Sequence, residues 1–347
     1  MFYQCPNCHK IWQYKIEKCP WCFGILEGKE SKELKVIGVS KVFIPSISHP
    51  KVPYFVLVLE DQNKNKFVFK SKREFKIGDR FEIKKGEDKN GVSIWRVKYD
   101  LYEAISKIIS LGNLSIKQNS SILILPTLVS VCHPHERENT HPEVLEELIK
   151  ILKQMGAKSI KVAGQSHKET SLEAMAKKSQ ILSVCQRNGI KFLDLEKGNF
   201  KRIEREGIVF EISEEVFKND LVINLPILKI GPEPSFKGAT ENLTRLWKKE
   251  SFLGQKYLYE EKDLLLKLTG VLPEVFNLAD ATTIQISSQK TANLDLLLGS
   301  FNSLNLDRVF AEITSVPVPE YLKGLDLPKI PIFGREIDEV KCDVQAL

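Results

Sequence analysis

Between residues 36 and 98, apolar and polar positions alternate in short runs. Val36–Ile44, Tyr54–Glu60, Lys66–Lys70, Arg80–Lys84 and Val92–Lys98 are rich in Val, Ile and Phe. Turn-forming stretches divide them: Ser48-His49-Pro50, Asn63-Lys64-Asn65, Gly78-Asp79 and Asn90-Gly91. Phe67 and Phe69 alternate with Lys66, Val68 and Lys70, as on a strand with two different faces. Five short strands at this spacing predict a small closed barrel. From Asp100 the period changes to that of helices. Asp100–Leu111 predicts a helix stopped by Gly112, Ser121–Leu125 an apolar strand, and Pro142–Met155 a helix with Val144, Leu145, Leu148, Ile149 and Leu152 on one face. Thr140 and Glu143 form a capping-box pattern at the start of that helix, and Gly156 follows its end.

The alternation continues with a strand at Ser159–Ala163, a helix at Leu172–Arg187, and strands at Lys191–Leu195 and Leu221–Leu225. Residues 235–270 read as mainly helical, Ala281–Ile286 as a strand, and Leu306–Ile313 as a helix. The tail, with Pro317, Pro319, Pro328 and Pro331, reads as an extended strap. The expected fold class is α/β: an N-terminal metal-bound ribbon and a small OB-like β-barrel, followed by a larger α/β domain with a mostly parallel sheet. The predicted boundaries are 1–26 for the ribbon, 27–99 for the barrel and 100–347 for the α/β domain.

The ribbon is predicted from cysteine spacing. Cys5-Pro-Asn-Cys8 and Cys19-Pro-Trp-Cys22 are two C-P-x-C hooks ten residues apart. Each hook lets two sulfurs reach one ion from a tight turn, and four thiolates make a closed tetrahedral structural site. One structural zinc per chain is expected, with iron as the competing occupant of the same ligands. Seven cysteines, four of them in hooks, fit a reducing compartment rather than a disulfide framework. The start lacks a basic flank and apolar core, and no apolar run reaches membrane-spanning length. The expected location is cytoplasmic, without a membrane partner. The net charge of +6 is uneven: from Lys29 to Lys98 basic residues outnumber acidic ones, as on a surface for nucleic acid, an anionic cofactor, an acidic partner or simply solvent.

Two further constellations carry chemistry. Cys132, His133, His135 and His141 cluster between a strand end and a helix start, offering imidazole and thiolate ligands to a second metal. Thr127, Thr140, Asn224, Lys229, Lys237, Asn242 and Asp280 lie around the expected carboxyl ends of the strands, where a small anionic ligand would be clamped. Gly156, Gly164 and Gly189 make no dinucleotide fingerprint, and neither a phosphate-binding P-loop nor a nucleophile elbow is present. Cys185 falls on an apolar helix face, and Cys342 lies in a polar tail.

Two resemblances follow from these residues. The hooks, Pro53–Glu60 and Lys76-Ile77-Gly78-Asp79 resemble the zinc-ribbon and OB-fold proteins that accompany thiolase-type acyl-CoA enzymes. That resemblance implies an accessory role, with contact to an acyl-CoA enzyme or its acyl-CoA. Ile122–Val129, Thr140–Val144, Gly156-Ala157, Asp220–Pro226 with Leu228-Lys229, and Lys237–Leu243 are similar to the domain of unknown function numbered three-six-two. Leu125-Pro126-Thr127, Lys229-Ile230-Gly231 and Glu241-Asn242 stand where that family usually has Lys-Pro-Asn, Lys-Thr-His and Lys-Asn. Three polar positions are thus altered, which leaves enzymatic activity an open question. The expected function is that of a zinc-binding accessory or scaffold protein with a small-anion site. The alternatives are a metal-dependent enzyme using the histidine cluster, and single-stranded nucleic-acid binding by the basic barrel.

Overall fold

A computed structural model describes residues 2–12, 16, 18–29, 33–45, 52–71, 73–81, 88–98, 100–231, 236–287, 290–325 and 328–344. The turn expected at Ser48-His49-Pro50 and the end of the run expected at Arg80–Lys84 lie outside them. The chain forms two compact units, Met1–Lys84 and Lys85–Leu347.

The first unit begins with β1 (Phe2–Gln4), β2 (Ile11–Trp12) and β3 (Glu27–Lys29), in the order β2-β1-β3. It continues with β4 (Leu34–Val42), β5 (Tyr54–Glu60), β6 (Lys66–Ser71) and β7 (Arg80–Phe81), an antiparallel sheet ordered β6-β5-β4-β7 and curled into half a barrel. Its inner face buries Val36, Phe55, Leu57, Leu59 and Phe81, with Phe67 and Phe69 packed against them. Lys66 and Val68 occupy the other face of β6, as the alternation predicts.

The second unit contains β8 (Val92–Arg96), α1 (Leu101–Leu111), β9 (Ser121–Pro126), α2 (Pro142–Gln154), β10 (Ser159–Gly164), α3 (Leu172–Lys178), α4 (Ile181–Arg187), β11 (Lys191–Asp194), β12 (Phe200–Arg205) and β13 (Ile208–Ser213). It continues through β14 (Leu221–Leu225), β15 (Ile227–Ile230), β16 (Phe236–Lys237), α5 (Ala239–Asn242), α6 (Lys249–Lys256), α7 (Glu261–Thr269), β17 (Val275–Ser287), β18 (Lys290–Ser300), α8 (Ser303–Thr314), β19 (Ile332–Gly334) and α9 (Ile337–Val340). The main sheet runs β11-β10-β9-β14-β17-β18-β8-β19. Strands β11 through β17 are parallel, and β18 is antiparallel to both of its neighbours. Alternate residues of β9 enter cores on opposite faces. Ile122 and Ile124 pack with Leu145, Leu148 and Leu152 of α2, while Leu123 and Leu125 pack with Phe210, Trp247 and Leu264. A strand covered on both sides reads as one apolar run, and Ser121–Leu125 does.

Four expectations change. Val92–Lys98 does not close the small barrel: β8 lies between β18 and β19 of the main sheet, with Val92, Ser93 and Ile94 fully buried. Its alternation suits either sheet, and burial on both faces decides. The first unit therefore ends near Lys84 rather than at 99. The helix expected at Leu172–Arg187 is two helices, broken at Gln180 with φ 65°. The capping box at Thr140 does not form: His141 is the N-cap, and the Thr140 hydroxyl makes longer-range bonds instead. The tail is more than a strap, because β19 pairs with β8 and Val340 packs against α8 residues.

Candidate functional site

The four cysteines are brought together by two turns of the same kind. Cys5 N donates to Lys10 O at 2.9 Å, His9 N donates to Cys5 O at 2.9 Å, and His9 adopts φ 57°. In the second hook Cys19 N donates to Gly24 O at 2.9 Å, Phe23 N donates to Cys19 O at 2.8 Å, and Phe23 adopts φ 59°. Gly24 is required here, since a Cβ would approach Cys5 Sγ to 3.2 Å and Asn7 Nδ2 to 2.9 Å. The sulfurs of Cys5 and Cys22 lie 3.3 Å apart, those of Cys8 and Cys19 3.5 Å, and all four fall within 4.8 Å of one another. These separations exceed a disulfide bond of ~2.0 Å and approach the ~3.8 Å edge of a tetrahedron with metal–sulfur bonds of ~2.3 Å. The quartet can hold a metal ion. Without one, the thiols are unequal. Cys19 is lowered to about 7, where backbone N–H groups of Trp21 and Cys22 outweigh burial. Cys22 is pushed up to about 12, where burial and the neighbouring sulfurs outweigh the Gly24 N–H.

The second cysteine–histidine cluster does not assemble as a group. His133 Nδ1 and His135 Nδ1 lie 2.8 Å apart on the surface. Cys132 is buried and faces the Asn139 amide, which donates to its sulfur at 3.1 Å. His141 faces Glu143, with Nδ1 to Oε2 at 3.8 Å. Among the described residues the four N-terminal cysteines are the group of three or more ligands that converges.

The anion-site residues divide in two. Thr127, Thr140, Asn224 and Asn242 are buried and bond one another. Thr127 N donates to Thr140 Oγ1 at 2.8 Å, Thr127 Oγ1 to Asn242 Oδ1 at 2.9 Å, and Thr140 Oγ1 to Leu225 O at 2.7 Å. Asn242 Nδ2 donates to Leu125 O and Asn224 Oδ1, and Asn224 Nδ2 to Ala239 O and to Asn277 Oδ1. This chain ties the carboxyl ends of β9 and β14 to β17 and α5, and it spends its donors internally. Lys237 is exposed and pairs with Glu241 at 3.6 Å. Asp280 is fully buried on β17. Its Oδ1 accepts from Thr282, and its Oδ2 has no partner among the described residues. Its charge and that of Glu143 act to raise His141, whose pKa is nevertheless lowered by burial and Arg137.

The remaining expected residue, Lys229, is only 8% exposed, and its Nζ donates to Glu138 O at 2.9 Å. Burial lowers its pKa to about 8; the charges of Lys237 and Arg245 act in the same direction, against those of Glu138 and Glu241. Arg245 is absent from the sequence-based set. Its Nη1 donates to Gln165 O at 3.0 Å, and burial lowers its pKa. No carboxylate pairs with either cation within ion-pair distance among the described residues. A buried charge such as Lys229 ordinarily has an opposite charge beside it, and Arg245 is half-buried. Arg245 lies two residues beyond the stretch Lys237–Leu243 marked in the sequence, and its neighbour Gln165 comes from a strand end 80 residues away.

A second carboxylate organises the same loop from beneath. Asp307 Oδ1 accepts from Ala239 N at 2.7 Å, and Oδ2 from Thr240 N at 2.9 Å and Tyr321 OH at 2.8 Å. A Cβ on Gly238 would clash with this carboxylate. Burial raises Asp307 to about 6, against the hydrogen bonds that lower it. An acid raised in the folded state contributes stability that is full below its ordinary value near 4 and is lost as pH rises through about 6. That component amounts to roughly 3 kcal/mol. The penalty of Asp307→Asn, measured by urea midpoint, is therefore expected to be largest at pH 4 and smaller at pH 7. A pH-independent penalty would contradict it.

Residues 122–312, just over half of the chain, match the family described as a domain of unknown function, DUF362. The chain belongs to that family. The DUF362 region contains every residue of the Thr127–Asn242 chain together with Lys229, Arg245, Asp280 and Asp307, whereas the cysteine quartet lies outside it. No protein with a curated description matches the chain. A solved structure, that of the lactate racemase apoprotein from Thermoanaerobacterium thermosaccharolyticum, aligns at 15% identity with a TM-score of 0.39, covering 67% of this chain and 58% of that one. The chain thus spans less than two thirds of that protein. A cavity of about 330 Å³ also opens in the DUF362 unit, lined by Leu243, Leu272, Asn277, Phe301 and Leu304, with Lys89 and Glu274 paired at its rim. Among the described residues no helix is long and apolar enough to cross a membrane.

Proposed function

We propose that this protein is a zinc-headed accessory protein whose DUF362 unit binds a small anion at the carboxyl edge of the main sheet. The observation that carries the reading is a pair of cations without a carboxylate at ion-pair distance among the described residues. The Arg245 charge acts on Lys229, and each cation is bonded to a backbone carbonyl, while the carboxylates of Glu138 and Glu241 act on them only from beyond ion-pair distance. An anion supplied from outside would meet both with charge-assisted bonds. Zinc suits the head because four thiolates on two hooks leave no open position. The accessory role rests on the resemblance of residues 1–99 to companions of acyl-CoA enzymes. Trp21 at 67% and Phe23 at 74% exposure give the head an apolar surface for such a partner.

The test is a thermal-shift titration of the full chain with inorganic phosphate, sulfate and acetate. A ligand at one hundred times its Kd adds about 2.7 kcal/mol, and a Tm rise of several degrees is expected. Arg245→Met should be folded and should lose the rise for each anion. A rise of equal size in Arg245→Met and Lys229→Met would remove the site from this place.

A further inference from the structure

The loop after β10 adds a requirement that an anion alone does not meet. Gln165 is fully buried directly after Gly164, at the carboxyl end of its strand. Its amide orientation is set on the nitrogen side: Nε2 donates to Trp247 O at 2.6 Å and faces His167 Nε2 at 3.1 Å. Burial and the Arg245 charge, against a hydrogen bond to the Trp247 backbone, lower the His167 pKa to about 4, so the ring is neutral near pH 7 and can serve as the acceptor. Turning the amide over would bring two oxygens together at Trp247. Gln165 Oε1 is consequently an acceptor, and it has no donor among the described residues.

The donors of nearby residues are directed to backbone oxygens instead. Arg245 Nη1 donates to the backbone oxygen of this same Gln165 at 3.0 Å. Ser166 Oγ and Lys249 Nζ both donate to Lys168 O at 3.0 Å. A buried amide oxygen left without a hydrogen costs about 1–3 kcal/mol, and native structures rarely keep such a group without a use. An oxygen of a bare anion brought to Arg245 would add a second acceptor beside it. An ammonium would satisfy the amide but meet the charge of Arg245, which bonds the backbone of the same residue. A hydroxyl satisfies it without that repulsion.

Resting on the anion-binding reading above, we infer that the ligand is a hydroxylated anion, its acid group held by Arg245 and Lys229 and its hydroxyl hydrogen donated to Gln165 Oε1. A carboxylate and a phosphate share this acid chemistry, so the test uses one matched pair of each. Titration calorimetry on the full chain compares glycerate with propionate, and glycerol 3-phosphate with propyl phosphate. The hydroxylated member of at least one pair should bind roughly 10- to 100-fold tighter than its deoxy partner, the discrimination expected of a site with an otherwise unpaired acceptor. The pair showing the preference identifies the acid. In Gln165→Met the preference should fall to about threefold or less, with the deoxy anion still bound.

Equal affinities within both pairs for the wild type would overturn the inference while leaving the anion site standing. So would a preference that survives Gln165→Met. Failure of all four compounds to bind would overturn both. The wild-type comparison depends on no substitution, so a Gln165→Met chain that does not fold leaves the decisive measurement intact.

Discussion

Replacing Cys19 with serine is expected to unfold residues 2–29 while the DUF362 unit stays folded. In this head, burial of large side chains is confined among the described residues to Phe2, Tyr3, Cys5 and Cys19. So small a core cannot meet the conformational entropy of ordering the segment, about 1–2 kcal/mol per residue for the backbone alone. Structural zinc in comparable sites contributes about 10–16 kcal/mol at pH 7, and this becomes folding free energy. Heteronuclear NMR should show the amide signals of residues 2–29 collapsing to unfolded positions in Cys19→Ser. The same collapse should follow treatment of the wild type with a strong chelator. Elemental analysis should give one zinc per chain before treatment. Retention of dispersed head signals after chelation, or protein purified without a stoichiometric metal, would end the case for a metal-built head.

The second large effect is expected at Asn224. Truncation to alanine would leave Ala239 O, Asn277 Oδ1 and Asn242 Nδ2 without their partner in the interior of the unit. At about 1–3 kcal/mol for each of the three orphaned groups, the loss is roughly 3–9 kcal/mol. That corresponds to a Tm lower by about 10 °C or more at ~2–4 °C per kcal/mol. Asn224→Asp should be no milder, because a carboxylate oxygen would face Asn277 Oδ1 and Ala239 O where an N–H now donates. Calorimetry of the two variants settles it. A Tm within about a degree of wild type for Asn224→Ala would mean that the amide chain can re-satisfy itself, and that its role in holding the strand ends has been misread.

The same residues show why some features were legible along the chain and others were not. The cysteine hooks were readable because each is closed by hydrogen bonds within six residues: Cys5 with His9 and Lys10, Cys19 with Phe23 and Gly24. The stripe on α2 and the apolar runs of β9 and β14 were readable because their periodicity reports the faces they bury. The hairpin β12–β13 was missed although a signal exists. Glu206 and Gly207, at φ 51° and 79°, form its two-residue turn, but the first of the two runs, Phe200–Arg205, is mostly charged. The pairing of β18 with β17, and of β8 with β18, carried no local mark.

By itself the amino-acid order determined the cysteine quartet, the α/β class of the larger unit and its family, because turn geometry and side-chain period act over a few residues. Only the tertiary structure decided which sheet received Val92–Arg96, why Thr140 bonds Leu225 O rather than capping its own helix, and that Arg245 bonds the backbone of Gln165. Those outcomes depend on which surfaces exclude water together and which buried polar atoms find partners across separations of up to about a hundred residues or more. No short-range pattern encodes that competition.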